Sequence, residues 1–363
     1  LLDYAEQGFS LTREQLVTRH RLQAFHESYF QPDGRLFSFS AENCRASQSA
    51  RQPDAIRTPF LNTPLSEPEP EFRQITLDEL TAFFCNPATF LLQRRLHVRL
   101  RNADGALDER EPFDLDARDG YPLKQQLLQD RLAGVDPTQT LAQVAAAGVL
   151  PLGQVGQARS QSLSASVDDF WQRLRPFDPL RVGAVLDLDL VLGGFRLTGR
   201  LTPRAVGGVL GYRVASIKAP DILRLWVQHL AAGAAGRGGE SILVGADTTH
   251  RYRPCEEASA KLEQLLQLYW QGLRQPLKFF PRSSRAFAEA EHKLATNPKS
   301  RARPLADALK QWEGNEFNHV SPERDDLSFN LCFGEESPLD EEFVTLARQV
   351  FAPVLQHETE EEA

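Results

Sequence analysis

Apolar and polar positions alternate along this chain with two rhythms. From Phe195 to Lys218 (FRLTGRLTPRAVGGVLGYRVASIK), Phe195, Leu197 and Leu201 stand apart from polar neighbours, Ala205 to Gly208 supply turn chemistry, and Leu210, Tyr212 and Val214 resume the alternation. That pattern predicts a β-hairpin. Just before it, Leu186, Leu188 and Leu190 alternate with Asp187 and Asp189, which predicts a further strand with both carboxylates in solvent, and Ser241 to Gly245 predicts another.

The second rhythm is helical. Leu80, Phe83 and Phe84 share a face behind a Thr76/Glu79 capping box, and Asn86-Pro87 ends that helix and caps the next, Ala88 to Leu96. Further helices are predicted from Tyr121 to Leu132, around Leu141 to Ala147, from Ala158 to Leu174, and from Asp221 to Ala232, where Pro220 ends the strand and Asp221 caps. Glu256 to Gly272 is strongly amphipathic, and its Tyr269 and Trp270 read as core. Near the start, Thr12 to Gln15 opens a short helix. After Tyr29-Phe30 the composition turns to Ser, Asn, Gln and Pro, with Pro53, Pro59, Pro64, Pro68 and Pro70 marking an extended linker that packs poorly. The acidic run from Glu358 to Glu362 predicts a disordered tail. Strands interleaved with helices give an α/β class, divided into an N-terminal extension and linker, 1–72, and a main domain, 73–363.

The hairpin resembles one found in metal-dependent nucleases of the PD-(D/E)XK fold, which present an Asp near the end of one strand and acid-x-Lys on the next. Gly199-Arg200-Leu201-Thr202 stands where that family has Gly-x-x-Asp, and Ser216-Ile217-Lys218 where it has Asp-x-Lys. On a strand Ser216 and Lys218 share one face. The lysine is kept, but two hydroxyls cannot supply the negative charge that holds Mg²⁺. Thr202, Ser216 and Lys218 therefore read as a vestigial site in a mixed sheet flanked by helices, a nuclease-like scaffold lacking its catalytic acids.

A chain of 363 residues with 41% hydrophobic composition can bury a substantial core, and its formal net charge of -8 restricts any nucleic-acid contact to a local patch. Arg282, Arg285, Lys293, Lys299, Arg301 and Arg303 form a basic stretch suited to phosphate, although Glu289 and Glu291 within it favour a solvated surface. Cys44, Cys85, Cys255 and Cys332 make no zinc or disulfide pattern, which suits a reducing, cytoplasmic setting. No apolar run reaches membrane-span length, the start is no signal peptide, and opening without Met in a helical pattern reads as a piece of a longer protein. The glycine-rich Gly233 to Gly239 turn lacks a following Lys-Ser or Lys-Thr, so no ATP-binding loop is expected. His229 has no second His or acid spaced with it and reads as a core histidine.

Several blocks in order carry a wider resemblance: Ile75 to Leu100, Glu111 to Leu115, Ala147 to Pro151 with Gly153 and Gly156, Leu223 to Leu230, and Glu313-Gly314-Asn315. Together they resemble the C-terminal region of the exodeoxyribonuclease V gamma subunit, RecC. Phe25 to Phe30 is similar to the tract that follows that family's inactive helicase-like domains. The resemblance implies a non-catalytic, nuclease-like domain that holds partner subunits and guides or splits DNA strands in double-strand-break repair by homologous recombination. It implies RecB-like and RecD-like partners, which would carry the ATP and Mg²⁺ chemistry, and no metal or cofactor of this region's own. Two other readings stay open: an active metal-dependent nuclease with acids relocated to Asp187, Asp189 or Asp221, and a stand-alone DNA-binding module resting on the stretch from Arg282 to Arg303.

Overall fold

The computed structural model describes residues 2–32, 34–51, 60–61, 63–100, 117–151, 153–181, 183–297, 299–314, 321–334 and 337–362. The chain forms two compact units, 1–58 and 59–363. The first holds α1 (Leu2–Phe9), α2 (Arg13–Leu16) and α3 (Ala41–Arg51). α2 begins at Thr12, whose backbone N–H donates to Gln15 Oε1 at 2.8 Å.

Capping sets the start of the second unit. β1 (Gln74–Thr76) runs into α4 (Leu77–Cys85), where Glu79 N–H donates to Thr76 Oγ1 at 3.2 Å and Glu79 Oε2 accepts from Thr76 N–H at 3.1 Å. Asn86 Oδ1 accepts from Thr89 N–H at 2.9 Å and opens α5 (Pro87–Phe90), which continues as a π-turn over Leu91–Arg95. The block Glu111 to Leu115 lies outside the described residues. Three helices follow: α6 (Ala117–Leu132), α7 (Pro137–Ala146) and α8 (Gly153–Leu174).

Next come β2 (Leu186–Leu192), β3 (Phe195–Leu201), β4 (Leu210–Tyr212), α9 (Ala219–Ala234), β5 (Ser241–Val244) and β6 (Thr248–Tyr252). Helices α10 (Ala258–Gly272), α11 (Pro281–Thr296), α12 (Pro304–Glu313), α13 (Leu327–Phe333) and α14 (Glu341–His357) precede a last strand, β7 (Glu358–Glu362). The strands make two mixed sheets, ordered β1-β3-β2 and β4-β5-β6-β7. β1 is parallel to β3 and β4 parallel to β5, and the other pairings are antiparallel. The class is α/β, mixed sheets flanked by helices.

The predicted hairpin is corrected: β3 and β4 belong to different sheets. The hairpin partner of β3 is β2, with Leu192 opposite Phe195 across Gly193-Gly194, whose φ values are 55° and 81°. A two-residue Gly-Gly turn matches the twist of paired strands, and it outcompetes the longer loop after β3. Gly208, at φ 73°, instead serves a close approach, since a Cβ there would lie 2.2 Å from the Glu240 carbonyl oxygen. β4 ends at Tyr212, so Ser216 and Lys218 do not lie on a strand. Two backbone bonds still join the segment after Tyr212 to the β5 side, Arg213 N–H to the Val244 carbonyl at 2.9 Å and Ala246 N–H to the Ala215 carbonyl at 3.0 Å, and Arg213 Nε donates to the Ser216 carbonyl at 3.0 Å.

Two further expectations change. Residues 63–73 pack rather than dangle: Leu65 N–H donates to the Arg274 carbonyl at 2.7 Å, Pro68 is buried, and Glu67 accepts from Trp270 Nε1 at 3.0 Å. Glu67 also pairs with Arg274 at 3.0 Å, so residues that resemble spacer in composition find specific anchors. The acidic tail is a strand because its first residue is held from inside. Glu358 Oε1 lies 2.7 Å from His250 Nδ1 and accepts from Tyr252 Oη at 2.8 Å. Burial pushes the Glu358 carboxyl up, but His250 and Tyr252 more than offset this and hold it below the usual range.

Three apolar clusters form the core. Phe83, Trp226, Leu230, Leu266 and Tyr269 join α4, α9 and α10 to the first sheet. Leu128, Val167, Phe170 and Leu174 lay α6 and α8 against Val214, Ile242 and Val244. Phe280, Trp312, Phe329 and Phe343 join the helices that follow α10.

Candidate functional site

Thr202 follows the end of β3, and Ser216 and Lys218 lie between β4 and α9; all three are exposed. Lys218 is the N-cap of α9, and its backbone N–H donates to Asp221 Oδ2 at 2.9 Å. Asp221 thus satisfies one of the helix's open donors, and its other oxygen faces Arg213 at 3.4 Å and Arg224 at 3.6 Å. Asp187 pairs with Arg200 at 2.9 Å and Asp189 with Arg196 at 2.7 Å across the β2–β3 ladder. The hydrogen bonds from Arg196 hold the Asp189 carboxyl below its ordinary value. The three acids considered for a relocated site are therefore bound in separate ion pairs. Among the described residues no group of three His, Cys, Asp or Glu side chains is placed to hold a metal ion.

Ser216 opens onto a cleft of about 590 Å³ between α6, α8 and the β4–α9 connection. Helix α6 contributes Tyr121 and Lys124, and α8 contributes Arg159, Ser162, Ser166, Asp169 and Arg173. The α8 residues recur at three- and four-residue steps, so they form one polar stripe along the helix. The neighbouring stripe, Leu163, Val167, Phe170 and Leu174, is buried in the core. Tyr121 is fixed by Arg213, whose guanidinium lies 4.3 Å from the ring centre and donates to Tyr121 Oη at 3.2 Å. Arg173 donates through Nη1 to the Ala246 carbonyl, and its Nη2 is buried without an acceptor. Sequence reading placed the α8 helix but not this cleft. The signal was the spacing of Arg159, Ser162, Ser166, Asp169 and Arg173, beside an apolar stripe displaced by one position.

The basic stretch spans two helices and the connection between them. Arg282, Arg285 and Lys293 lie on α11, Lys299 and Arg301 on the connection that follows, and Arg303 caps α12. Arg282 Nη1 donates to the Ser321 carbonyl at 2.9 Å and its Nε lies 3.8 Å from Glu323, while Arg285 pairs with Glu289. Lys293, Lys299, Arg301 and Arg303 make no ion pair among the described residues. Buried Glu323 accepts from Arg282 N–H at 3.0 Å, Ser283 N–H at 2.8 Å and Ser283 Oγ at 2.7 Å. Burial pushes its carboxyl up, and these donors pull it back.

His229 is a core histidine, as its spacing predicts. It stacks on Trp226 with ring centres 5.2 Å apart, and its Nδ1 lies 2.8 Å from Ser241 Oγ. Burial, followed by the nearby His357, lowers its pKa to about 4, so it is neutral near pH 7.

Residues 72–292, more than half of the chain, match the family described as the RecC C-terminal domain. The chain belongs to the RecC family. It is 26% identical over 345 residues to the RecBCD enzyme subunit RecC of Escherichia coli K12, covering 93% of this chain and 30% of that protein. Against the RecBCD enzyme subunit RecC of Mycobacterium tuberculosis (strain CDC 1551 / Oshkosh) it is 26% identical over 355 residues, 94% of this chain and 31% of that protein. The subunit of Mycolicibacterium smegmatis is 26% identical over 300 residues, 79% of this chain and 27% of its own length. The chain thus spans about 30% of the RecC proteins it matches most extensively. Among the described residues no helix is long and apolar enough to cross a membrane.

Proposed function

We propose that this chain serves as the C-terminal, non-catalytic part of a RecC subunit, a PD-(D/E)XK-like domain that supports partner subunits and guides DNA strands. The observation that carries the reading is the chemistry at the vestigial positions. Thr202 and Ser216 offer hydroxyls where metal-binding carboxylates would be needed, and Lys218 caps a helix through its backbone. Asp187, Asp189 and Asp221 are each engaged by arginines, which favours the non-catalytic reading over relocated acids. The partners follow from relatives named as subunits of a RecBCD enzyme: one RecB-like and one RecD-like chain, with ATP and Mg²⁺ used there, in the cytoplasm. A stand-alone DNA-binding role is less well supported, because Arg282 and Arg285 of the basic stretch are bound to residues of their own chain.

Two measurements test the proposal. Labelled single- and double-stranded DNA incubated with the purified chain and Mg²⁺ or Mn²⁺ is expected to remain as intact as with a Lys218→Ala control. Cleavage that this substitution abolishes would overturn the non-catalytic reading. Co-expressed RecB-like and RecD-like subunits are expected to copurify with the chain, and failure to retain either removes the scaffolding role.

A further inference from the structure

We propose that the outer edge of β2 receives an extended segment of a partner subunit, added as a further strand that alternates apolar residues with lysine or arginine. The inference rests on the scaffolding reading and deepens it, since it names how a partner is held.

The first support is the backbone. β2 lies at the end of its sheet, with β3 as its one strand neighbour among the described residues. Residues that flank a two-residue hairpin turn exchange both backbone bonds, and bonded and non-bonded pairs alternate from there. The bonded pairs are therefore Leu192 with Phe195, Leu190 with Leu197, Leu188 with Gly199 and Leu186 with Leu201. Asp187, Asp189 and Val191 turn their N–H and C=O groups away from β3, and among the described residues none of these groups has a hydrogen-bond partner. Edge strands commonly hide such groups by being short, by carrying proline or lysine, or by a bulge. β2 has seven residues in unbroken register and uses none of these devices, whereas β1 at the opposite end of the sheet has three residues.

The pleat sets what an added strand must carry. Leu186, Leu188, Leu190 and Leu192 face the core, and of these only Leu188 is fully buried, so apolar side chains on a new strand extend that face. The other face is polar and open. The side chains of Asp187 and Asp189 are 78% and 55% exposed, and Val191 is 75% exposed. Arg200 and Arg196, which pair with the two acids, stand on β3, the inner side, so the charge nearest the free edge is negative. A carboxylate has acceptor sites to spare after one arginine, and Asp187 is held through Arg200 Nε. Opposite charges across a strand pair stabilise it and like charges weaken it. The same rule disfavours two other occupants. A second copy, paired antiparallel about Asp189, would set one carboxylate against the other. A nucleic acid would bring phosphates to these acids and leave the row of N–H and C=O groups unused.

Amide hydrogen exchange, read at single residues, tests the proposal on the 363-residue chain alone and copurified with co-expressed RecB-like and RecD-like subunits. In the free chain the amides of Asp187, Asp189 and Val191 are expected to exchange fast and those of Leu188 and Leu190 slowly. In the complex the first three should slow by about tenfold or more. Partners retained with these three amides as fast as before overturn the edge inference alone, whereas partners not retained by the unsubstituted chain defeat the scaffold reading itself. Slowing that grows with the concentration of the isolated chain assigns the edge to a second copy, and slowing by oligo-dT alone assigns it to nucleic acid. Either result overturns the proposal. Val191→Pro removes an outward N–H that β3 does not use, and is expected to weaken partner retention by about fivefold or more. Asp187→Asn combined with Asp189→Asn is expected to weaken retention and to make it less sensitive to salt. Retention unchanged in Val191→Pro overturns the added strand, and retention unchanged in the Asn pair overturns its basic character. Slow exchange at Leu188 and Leu190 in each free variant verifies that β2 is still paired with β3, and the comparison on the unsubstituted chain stands without either variant.

Discussion

Two places in this molecule gather arginine and serine donors around one point, and they end differently. At the start of α11, the Arg282 and Ser283 backbone N–H groups and the Ser283 hydroxyl converge on Glu323, a carboxylate from another part of the same chain. In the cleft on α8, Arg173, Ser162 and Ser166 stand together with Lys124, and among the described residues no carboxylate pairs with the two cations. The donor chemistry is alike, and what differs is whether the chain supplies its own anion. Where it does, the cluster holds the fold. Where it does not, Arg173 Nη2 is left as a buried donor without an acceptor, which costs stability.

The comparison is broken most severely at Glu323. Glu323→Ala leaves two backbone donors and the buried Ser283 hydroxyl without their acceptor, and is expected to cost about 3 to 5 kcal/mol. Glu323→Gln keeps an acceptor and should cost less than half of that. Denaturant midpoints measure both. An Ala variant that unfolds at the parental midpoint would mean that the cluster is decoration.

His229 shows a third outcome, a polar group buried by staying neutral. Its pKa is about 4 when folded and near 6.5 when unfolded, so between those values the unfolded chain binds the extra proton. Stability is then full above pH 6.5 and falls as pH drops toward 4, by at most about 3 kcal/mol at roughly 1.4 kcal/mol per unit. Denaturation curves at pH 7 and pH 4.5 read this directly, and a His229→Gln variant should show a shallower fall. An equal fall in that variant would assign the acid sensitivity to other groups. Ser241→Ala acts on the same cluster and removes the acceptor of Val209 N–H as well as the partner of His229 Nδ1. A loss of about 1 to 2 kcal/mol is expected, read as a lowered melting temperature at pH 7.

Local signals were legible in the sequence and long-range ones were not. The Thr76/Glu79 box, the Asn86 cap, the α8 and α10 helices and the solvent-facing Asp187 and Asp189 follow from spacing and side-chain chemistry within a few residues. The strand pairing did not. Gly193-Gly194 and Gly207-Gly208 both flank β3, and the alternation after Leu210 gives the later turn as strong a strand pattern as the earlier one. Only Gly193-Gly194 is tight enough to close a two-residue hairpin. The packing of residues 63–73 on Trp270 and Arg274, and of Glu358 on His250 and Tyr252, joins residues more than 100 positions apart, which composition does not encode. For the candidate site, the motif comparison found Ser216 but not the cations opposite it. They come from α6 and α8, and only folding sets them across from the β4–α9 connection.

The smallest expected effect is the most discriminating. Among the described residues Lys124 has no carboxylate within ion-pairing distance, so Lys124→Gln should leave the protein's stability within about 0.5 kcal/mol of the parent. The substitution leaves the bond from Arg173 to the Ala246 carbonyl in place. A variant that melts several degrees lower would show Lys124 holding α6 to α8, as Glu323 holds the start of α11. The two regions would then be the same device used twice.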